Sequence, residues 1–279
     1  MIALREAGHA LKTAFSQPLV GILSSLSDAV FLLVYGFLAR PVRDNLLIDA
    51  NNLVQTLAGA LRVAGERFET PSMMQLIMTP EARPHTMGIA FWLAVLGVLA
   101  YVLYVLFQSA AWKLARGTLS GTGSWKDHLA RFAAVNIPWF LILGVLTLTR
   151  DIIDLRSALV LSMTKTPGWT VPAAVYYALI GIVVYFMLIS YSEIHRHSWR
   201  DAFTHSFRKG VKEFGSIAPA FLLIVLALVV IQVLLQALAT VNEALWFVAG
   251  VALILPFLYW ARIYIIRIGG MTHDVREQP

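Results

Sequence analysis

The chain has 279 residues, of which 58% are hydrophobic and only 14% charged, and its mean hydropathy is +0.72. Soluble domains carry roughly 25% charged residues, so this composition excludes an ordinary soluble protein and predicts an all-α integral membrane protein. The absence of cysteine excludes disulfides, thiol catalysis and cysteine metal sites, and the net charge of +6 is expected beside anionic lipid rather than nucleic acid.

Six apolar runs predict six transmembrane helices in a single polytopic domain, residues 1–279. Each run approaches the roughly 20 residues that cross about 30 Å of hydrocarbon. They cover residues 18–38, 87–108, 133–149, 172–192, 217–239 and 244–266. Residues 40–85 are predicted as an external amphipathic loop, in which residues 44–68 carry apolar side chains at helical spacing.

The distribution of basic residues predicts the orientation of the chain. Fourteen of the 22 Lys and Arg residues lie on the side that carries both termini. Because Lys and Arg concentrate in cytoplasmic loops, both termini are predicted in the cytoplasm. The expected location is the plasma (inner) membrane, with several passes.

Three segments share a pattern of amphipathic lead-in, proline and apolar run. They read "LREAGHALKTAFSQPLVGIL", "SWKDHLARFAAVNIPWFLIL" and "SWRDAFTHSFRKGVKEFGSIAPAFLLIV". The pattern predicts three hairpins, residues about 1–108, 124–192 and 198–267, each preceded by an interfacial amphipathic helix. Pro18, Pro138 and Pro219 are expected at or near a first helical turn, where a missing N–H costs little.

The third lead-in separates apolar from basic residues. Its stripe recurs every three or four positions and contains Trp199, Phe203, Phe207, Val211 and Phe214. A helix of this kind lies in the headgroup plane, and each basic residue adds about 1 kcal/mol of attraction to anionic lipid. The residues predicted to contact anionic headgroups are Trp199, Arg200, Arg208, Lys209 and Lys212. Alternatively, these segments are only elbow helices of the fold.

The lead-in segments resemble a group of prokaryotic polytopic proteins that includes the membrane domain of some glycerophosphodiester phosphodiesterases. In that domain an amphipathic lead-in of the type "W+DAF" precedes each hairpin, as "SWRDAF" does here. The resemblance covers the repeat units alone. It implies no catalytic residue, because the phosphodiesterase active site belongs to a separate soluble domain.

Asp28 stands near the centre of the first predicted span, in "GILSSLSDAVFLLVYG". An acid at this depth faces the protein interior or a wet cavity, and it shares its face with small residues such as Gly21, Ser24 and Ser25 that allow close helix packing. It is either a structural hydrogen-bonding hub or an ion, proton or solute site, unless the span boundary is misplaced. Arg262 is the basic residue of a predicted span that could approach it, or it could snorkel to the headgroups.

Two further sets of polar residues, a pair of glutamines and a cluster of histidines, have alternative interpretations. Gln232 and Gln236 lie one turn apart in the fifth span, where they either bond to another helix or line a polar pathway. Several histidines cluster around "EIHRHSW". Their spacing does not force three or four ligands to converge, so no metal site is predicted.

No catalytic motif or cofactor site is evident in the sequence. The expected function is therefore that of a non-catalytic scaffold, accessory subunit or lipid-organising component of a membrane complex. The alternative is a transporter, channel or translocation-pore subunit whose polar pathway draws on Asp28, Ser24, Ser25, Gln232, Gln236 and Arg262. A lipid-active enzyme that uses the histidines is a third class. Expected partners are anionic lipids and other membrane subunits or a second copy.

Overall fold

The computed structural model describes residues 2–66, 75, 77–119, 124–164 and 170–274. Within these ranges it contains eight helices and no strand. We label them α1 (Ile2–Ser16), α2 (Pro18–Glu66), α3 (Arg83–Gly117), α4 (Trp125–Thr164), α5 (Ala173–Glu193), α6 (Trp199–Lys212), α7 (Phe214–Ala239) and α8 (Glu243–Asp274).

Six of these helices are long and apolar enough to cross a membrane. The apolar segments are Pro18–Ala60, Arg83–Gly117, Trp125–Asp154, Ala173–Glu193, Phe214–Ala239 and Glu243–Gly270. This confirms the predicted class, a helical membrane protein, and the number of candidate spans. The three-hairpin arrangement and the side on which the termini lie stay predictions.

The chain divides into two compact units. The first comprises residues 1–30 and 105–279, and its core contains the fully buried side chains of Phe132, Trp139, Tyr191 and Tyr264. Several hydroxyl and indole groups of this core donate hydrogen bonds across helices. For example, Trp139 Nε1 donates to Ser190 Oγ at 3.0 Å and Tyr264 OH donates to the carbonyl of Ala3 at 2.9 Å.

The second unit comprises residues 31–104. Its small apolar core is formed by Leu53, Leu57 and Ala82. Next to it, Asp49 Oδ1 lies 3.3 Å from His85 Nδ1. Gly88 packs so close to Asp49 that an added Cβ would stand 2.2 Å from Oδ2, so this position accepts only glycine without a shift of the carboxylate.

Helix α2 extends beyond the first predicted span, residues 18–38. It continues past Pro41 to Glu66, so residues 40–66 are helical, and the external position of residues 40–85 stays a prediction. The helical spacing predicted for residues 44–68 is confirmed as far as Glu66, and it joins the span directly because Pro41 does not break the helix. Residues 67–74 and 76 of the predicted loop lie outside the described residues.

The predicted lead-in helices form in two of the three repeats. In the first, α1 ends at Ser16 and Pro18 begins α2; in the third, Glu213 separates α6 from α7. In the second repeat the prediction of a separate lead-in helix is wrong, because α4 runs unbroken through Pro138. Buried side chains lie on both sides of this proline, among them Asn136, whose Nδ2 donates to the carbonyl of Phe132 at 2.7 Å.

Candidate functional site

Asp28 and Arg262 form a bidentate ion pair between α2 and α8. Arg262 Nη1 lies 2.7 Å from Asp28 Oδ2, and Arg262 Nη2 lies 2.6 Å from Asp28 Oδ1. Two parallel N–H···O bonds are the strongest pairing that a guanidinium and a carboxylate make. The sequence allows Arg262 either to approach Asp28 or to snorkel to the headgroups. The structure shows the first of these two arrangements.

Gln108 on α3 closes the pair into a ring of three side chains. Its Nε2 donates to Asp28 Oδ1 at 2.7 Å, and its Oε1 accepts from Arg262 Nη2 at 2.7 Å. Ser24 accepts a further bond from Arg262 Nη1 at 3.2 Å and donates to the carbonyl of Ala111 at 3.4 Å. We call these four residues, Asp28, Arg262, Gln108 and Ser24, the charged hub.

The charged hub is enclosed by protein. Asp28 is 2% exposed, Ser24 is fully buried, and Gln108 and Arg262 are 8% and 6% exposed. Charges withdrawn from water this far must be paired and hydrogen-bonded, and both carboxylate oxygens of Asp28 are. The hub therefore ties three helices together while presenting no net charge.

The face of α2 that carries Asp28 contacts α8 at two small residues. Ser25 Oγ donates to the carbonyl of Leu255 at 3.2 Å, and a Cβ added to Gly21 would lie 3.0 Å from the ring of Tyr259. The small residues thus serve close helix packing, as expected in lipid. Further along α2, in the second unit, Leu32 is 57% exposed.

Gln232 and Gln236 are not part of the hub. Both are exposed on the surface of α7, while Leu235 between them is 3% exposed. They stand on a broad apolar face whose members include Leu226, Val229, Val230, Val233 and Leu234, each at least half exposed. Lipid tails offer no hydrogen-bond partner to two amide side chains on such a face.

The residues predicted to contact headgroups divide into two groups. Arg200, Arg208 and Lys212 are exposed and Trp199 is 37% exposed, which leaves all four accessible on α6. Lys209 is 3% exposed, so the prediction that it faces the headgroups is wrong. The most buried residues of α6 are Ala202, Ser206, Lys209 and Gly210. The rings of Phe203 and Phe207 also pack against Trp139.

Lys209 forms a second buried ion pair, with Glu193 at the end of α5. Lys209 Nζ lies 2.6 Å from Glu193 Oε1 and also donates to the carbonyl of Gly269 at 2.6 Å. One ammonium group therefore joins α5, α6 and α8. The coulombic attraction and hydrogen bond of Lys209 compensate the burial of Glu193, whose side chain is 1% exposed.

The sequence does not predict the role of Gln108 or the pairing of Glu193 with Lys209. Gln108 ends the second predicted apolar run, and an amide in that place is a signal for a polar contact within the bundle. Glu193 precedes the histidine cluster and has no local feature that pairs it with Lys209. Glu193 also lies close to His197 and His205: a carboxylate oxygen and one nitrogen of each imidazole are all within 4.8 Å of one another.

His195 lies in the same turn as His197, between α5 and α6. Loss of hydration, together with the guanidinium groups of Arg116 and Arg196, lowers the pKa of His195 to about 4. The imidazole is therefore neutral at physiological pH, and its Nε2 accepts a hydrogen bond from Arg196 Nε at 3.1 Å.

An apolar groove of about 780 Å³ opens beside α2. It is lined by α1, α2, α7 and α8, with Phe15, Ile22, Leu255 and Trp260 among its walls. Asp28 does not line it; Ser25 is one of its few polar members. The groove has the character of a site for hydrocarbon rather than for ions.

No protein-family model, curated protein or solved structure matches the chain.

Proposed function

We propose that this chain is a non-catalytic membrane protein that acts as a scaffold, accessory subunit or lipid-organising component of a membrane complex. The observation that carries the proposal is the charged hub. The carboxylate of Asp28 is neutralised inside the chain, by a guanidinium that binds both of its oxygens. A group used in this way serves to hold helices together.

A transport function for Asp28 requires a different arrangement. A carboxylate that binds and releases protons or cations needs at least one accessible oxygen and a route to it. Here Asp28 Oδ1 accepts from both Arg262 and Gln108, while Oδ2 accepts from Arg262. The large groove beside α2 is lined by other residues. These contacts favour the structural role over the transport role.

The exposed face of α7 supports interaction with another membrane helix. Gln232 and Gln236 lie one turn apart on this face and can each donate and accept hydrogen bonds. In a bilayer, amide side chains of this kind bond across helix–helix contacts. We propose that α7 packs against another subunit or a second copy of this chain, in a plasma (inner) membrane with both termini in the cytoplasm.

The lipid-organising form of the proposal draws on the apolar groove. Its volume of about 780 Å³ is of the size that holds drug-sized apolar ligands, and its walls are almost wholly hydrocarbon. The exposed basic residues Arg200, Arg208 and Lys212 on α6 would attract anionic headgroups. An acyl chain is the occupant that we propose for the groove.

A photo-crosslinking experiment tests the scaffold proposal. A photoreactive amino acid at Val233, which is 59% exposed beside Gln232, is expected to give a protein–protein adduct in native membranes. The same group at Leu235, which is 3% exposed, is the matched control and should give none. Replacing both Gln232 and Gln236 by Leu should reduce the adduct several-fold, since interhelical amide bonds are worth about 0.6–2 kcal/mol each. Adducts to lipid alone at Val233 would contradict the proposal.

A further inference from the structure

Three potential metal ligands converge where α5 ends and α6 begins. Glu193 is the last residue of α5, His197 lies in the turn that follows, and His205 lies on α6. One ligand atom from each is within 4.8 Å of the others. Glu193 Oε2 and His197 Nε2 are 3.7 Å apart, and the rings of His197 and His205 are 5.1 Å apart at an angle of 37°.

Two of these ligand atoms are buried without a hydrogen-bond partner. They are Glu193 Oε2 and His197 Nε2, and the Glu193 side chain is 1% exposed. A carboxylate oxygen only accepts hydrogen bonds, and a buried acceptor without a partner is costly. A cation held between the two atoms would satisfy both at once.

The remaining oxygen of Glu193 is held in place by Lys209. Lys209 Nζ donates to Oε1 at 2.6 Å and is itself anchored on the carbonyl of Gly269. Hydrogen bonds of this kind orient metal-binding carboxylates and leave a single oxygen for the metal. The carboxylate is thus prepared for a bond through Oε2 alone.

The donor set and the surrounding charge indicate the class of cation. Two imidazoles and one carboxylate suit zinc and its neighbours among the first-row transition metals, whereas calcium and magnesium prefer several oxygens. Lys209 already compensates the charge of Glu193. The bond strength must therefore come from the imidazole nitrogens, and such bonding favours a transition metal over a hard cation.

We propose that Glu193, His197 and His205 bind one divalent transition-metal ion of the zinc class. Bonds of about 2.0–2.1 Å in a tetrahedral site place ligand atoms about 3.3 Å apart. Contraction from 3.7–4.8 Å is within the reach of side-chain rotation. Three protein ligands leave a fourth position for water or for a ligand from a partner. The ion would link the end of α5 to α6. This proposal does not depend on the proposed function.

Metal titration of the full-length protein in detergent tests this site. After treatment with a chelator, the wild-type protein is expected to bind one equivalent of Zn²⁺, measured by elemental mass spectrometry. Co²⁺ should give the visible absorption of a tetrahedral nitrogen and oxygen site. His197→Ala and His205→Ala should each weaken binding at least about 10-fold, as loss of even a supporting group does.

His195→Ala is the matched control. His195 lies two residues from His197, but its Nε2 already accepts from Arg196, so the variant should bind Zn²⁺ as the wild type does. Thermal melting of each variant without metal verifies that it folds. The proposal is overturned if folded wild-type protein binds no Zn²⁺ or Co²⁺. Equal loss in the His195 variant, or undiminished binding by the His197 and His205 variants, would overturn it as well.

Discussion

Replacing Arg262 by Gln is expected to destabilise the folded protein by about 3–5 kcal/mol, the cost of leaving one member of a buried ion pair without its partner. Asp28 is 2% exposed and would keep only the amide of Gln108 as a donor. Unfolding measured by thermal melting in detergent, or by denaturant in bicelles, gives the size of the effect. Arg208→Gln makes the same change at an exposed site on α6 and should stay within about 0.5 kcal/mol.

A double variant separates the ion pair from the loss of packing. Asp28→Leu combined with Arg262→Met removes both charges and keeps apolar volume, so most of the lost stability should return. A double variant no more stable than Arg262→Gln alone would contradict a hub that acts through charge compensation. So would a single variant with wild-type stability.

The second large effect is expected at Lys209. Its replacement by Met removes the ammonium that meets Glu193 Oε1 and the carbonyl of Gly269, each at 2.6 Å. Glu193 is then a buried carboxylate without its cation, and the loss should again be about 3–5 kcal/mol. Limited proteolysis would show whether α6 separates from α5 and α8 before the rest unfolds.

Lys212→Met is the matched control for this variant. Lys212 is exposed one turn along the same helix, and its loss should change stability by no more than about 0.5 kcal/mol. If Lys209 acted at the headgroups, the two variants would behave alike. Glu193→Gln introduced with Lys209→Met should recover part of the stability, because it removes the stranded charge.

The spans and Asp28 could be predicted because lipid imposes strong rules on composition. Long apolar runs mark spans, and an acid among small residues must face protein. The same reasoning brought out Arg262 as a candidate partner for Asp28. Gln108 was missed because the vertical alignment of α3 with α2 and α8 depends on tertiary packing, which periodicity does not give.

The error at Lys209 has a physical cause. The sequence of α6 places its large apolar residues on one stripe and its basic residues off it, and this pattern predicts that the basic residues face solvent. In the structure, small side chains such as Ala202, Ser206 and Gly210 make the contact with protein. An added Cβ at Gly210 would stand 2.6 Å from Phe186. The packed face therefore combines these small residues with Phe203 and Phe207 of the apolar stripe, whose rings contact Trp139.

Other features depended on contacts far apart in the sequence. Helix α4 continues through Pro138, which local proline rules do not anticipate. His205 comes close to Glu193 and His197 only because the turn between α5 and α6 brings α6 back towards the end of α5. The spacing of the histidines alone did not impose that.

The central claim, that Asp28 is a closed structural charge, is tested most directly by carbodiimide labelling. Dicyclohexylcarbodiimide enters the bilayer and reacts with accessible protonated carboxyl groups. With both oxygens of Asp28 held by Arg262 and Gln108, peptide mass spectrometry of protein in liposomes should find Asp28 unlabelled. Arg262→Gln is the positive control, because it removes the guanidinium that holds both oxygens of Asp28. Labelling of Asp28 in the wild-type protein would contradict the account and favour a proton or ion pathway.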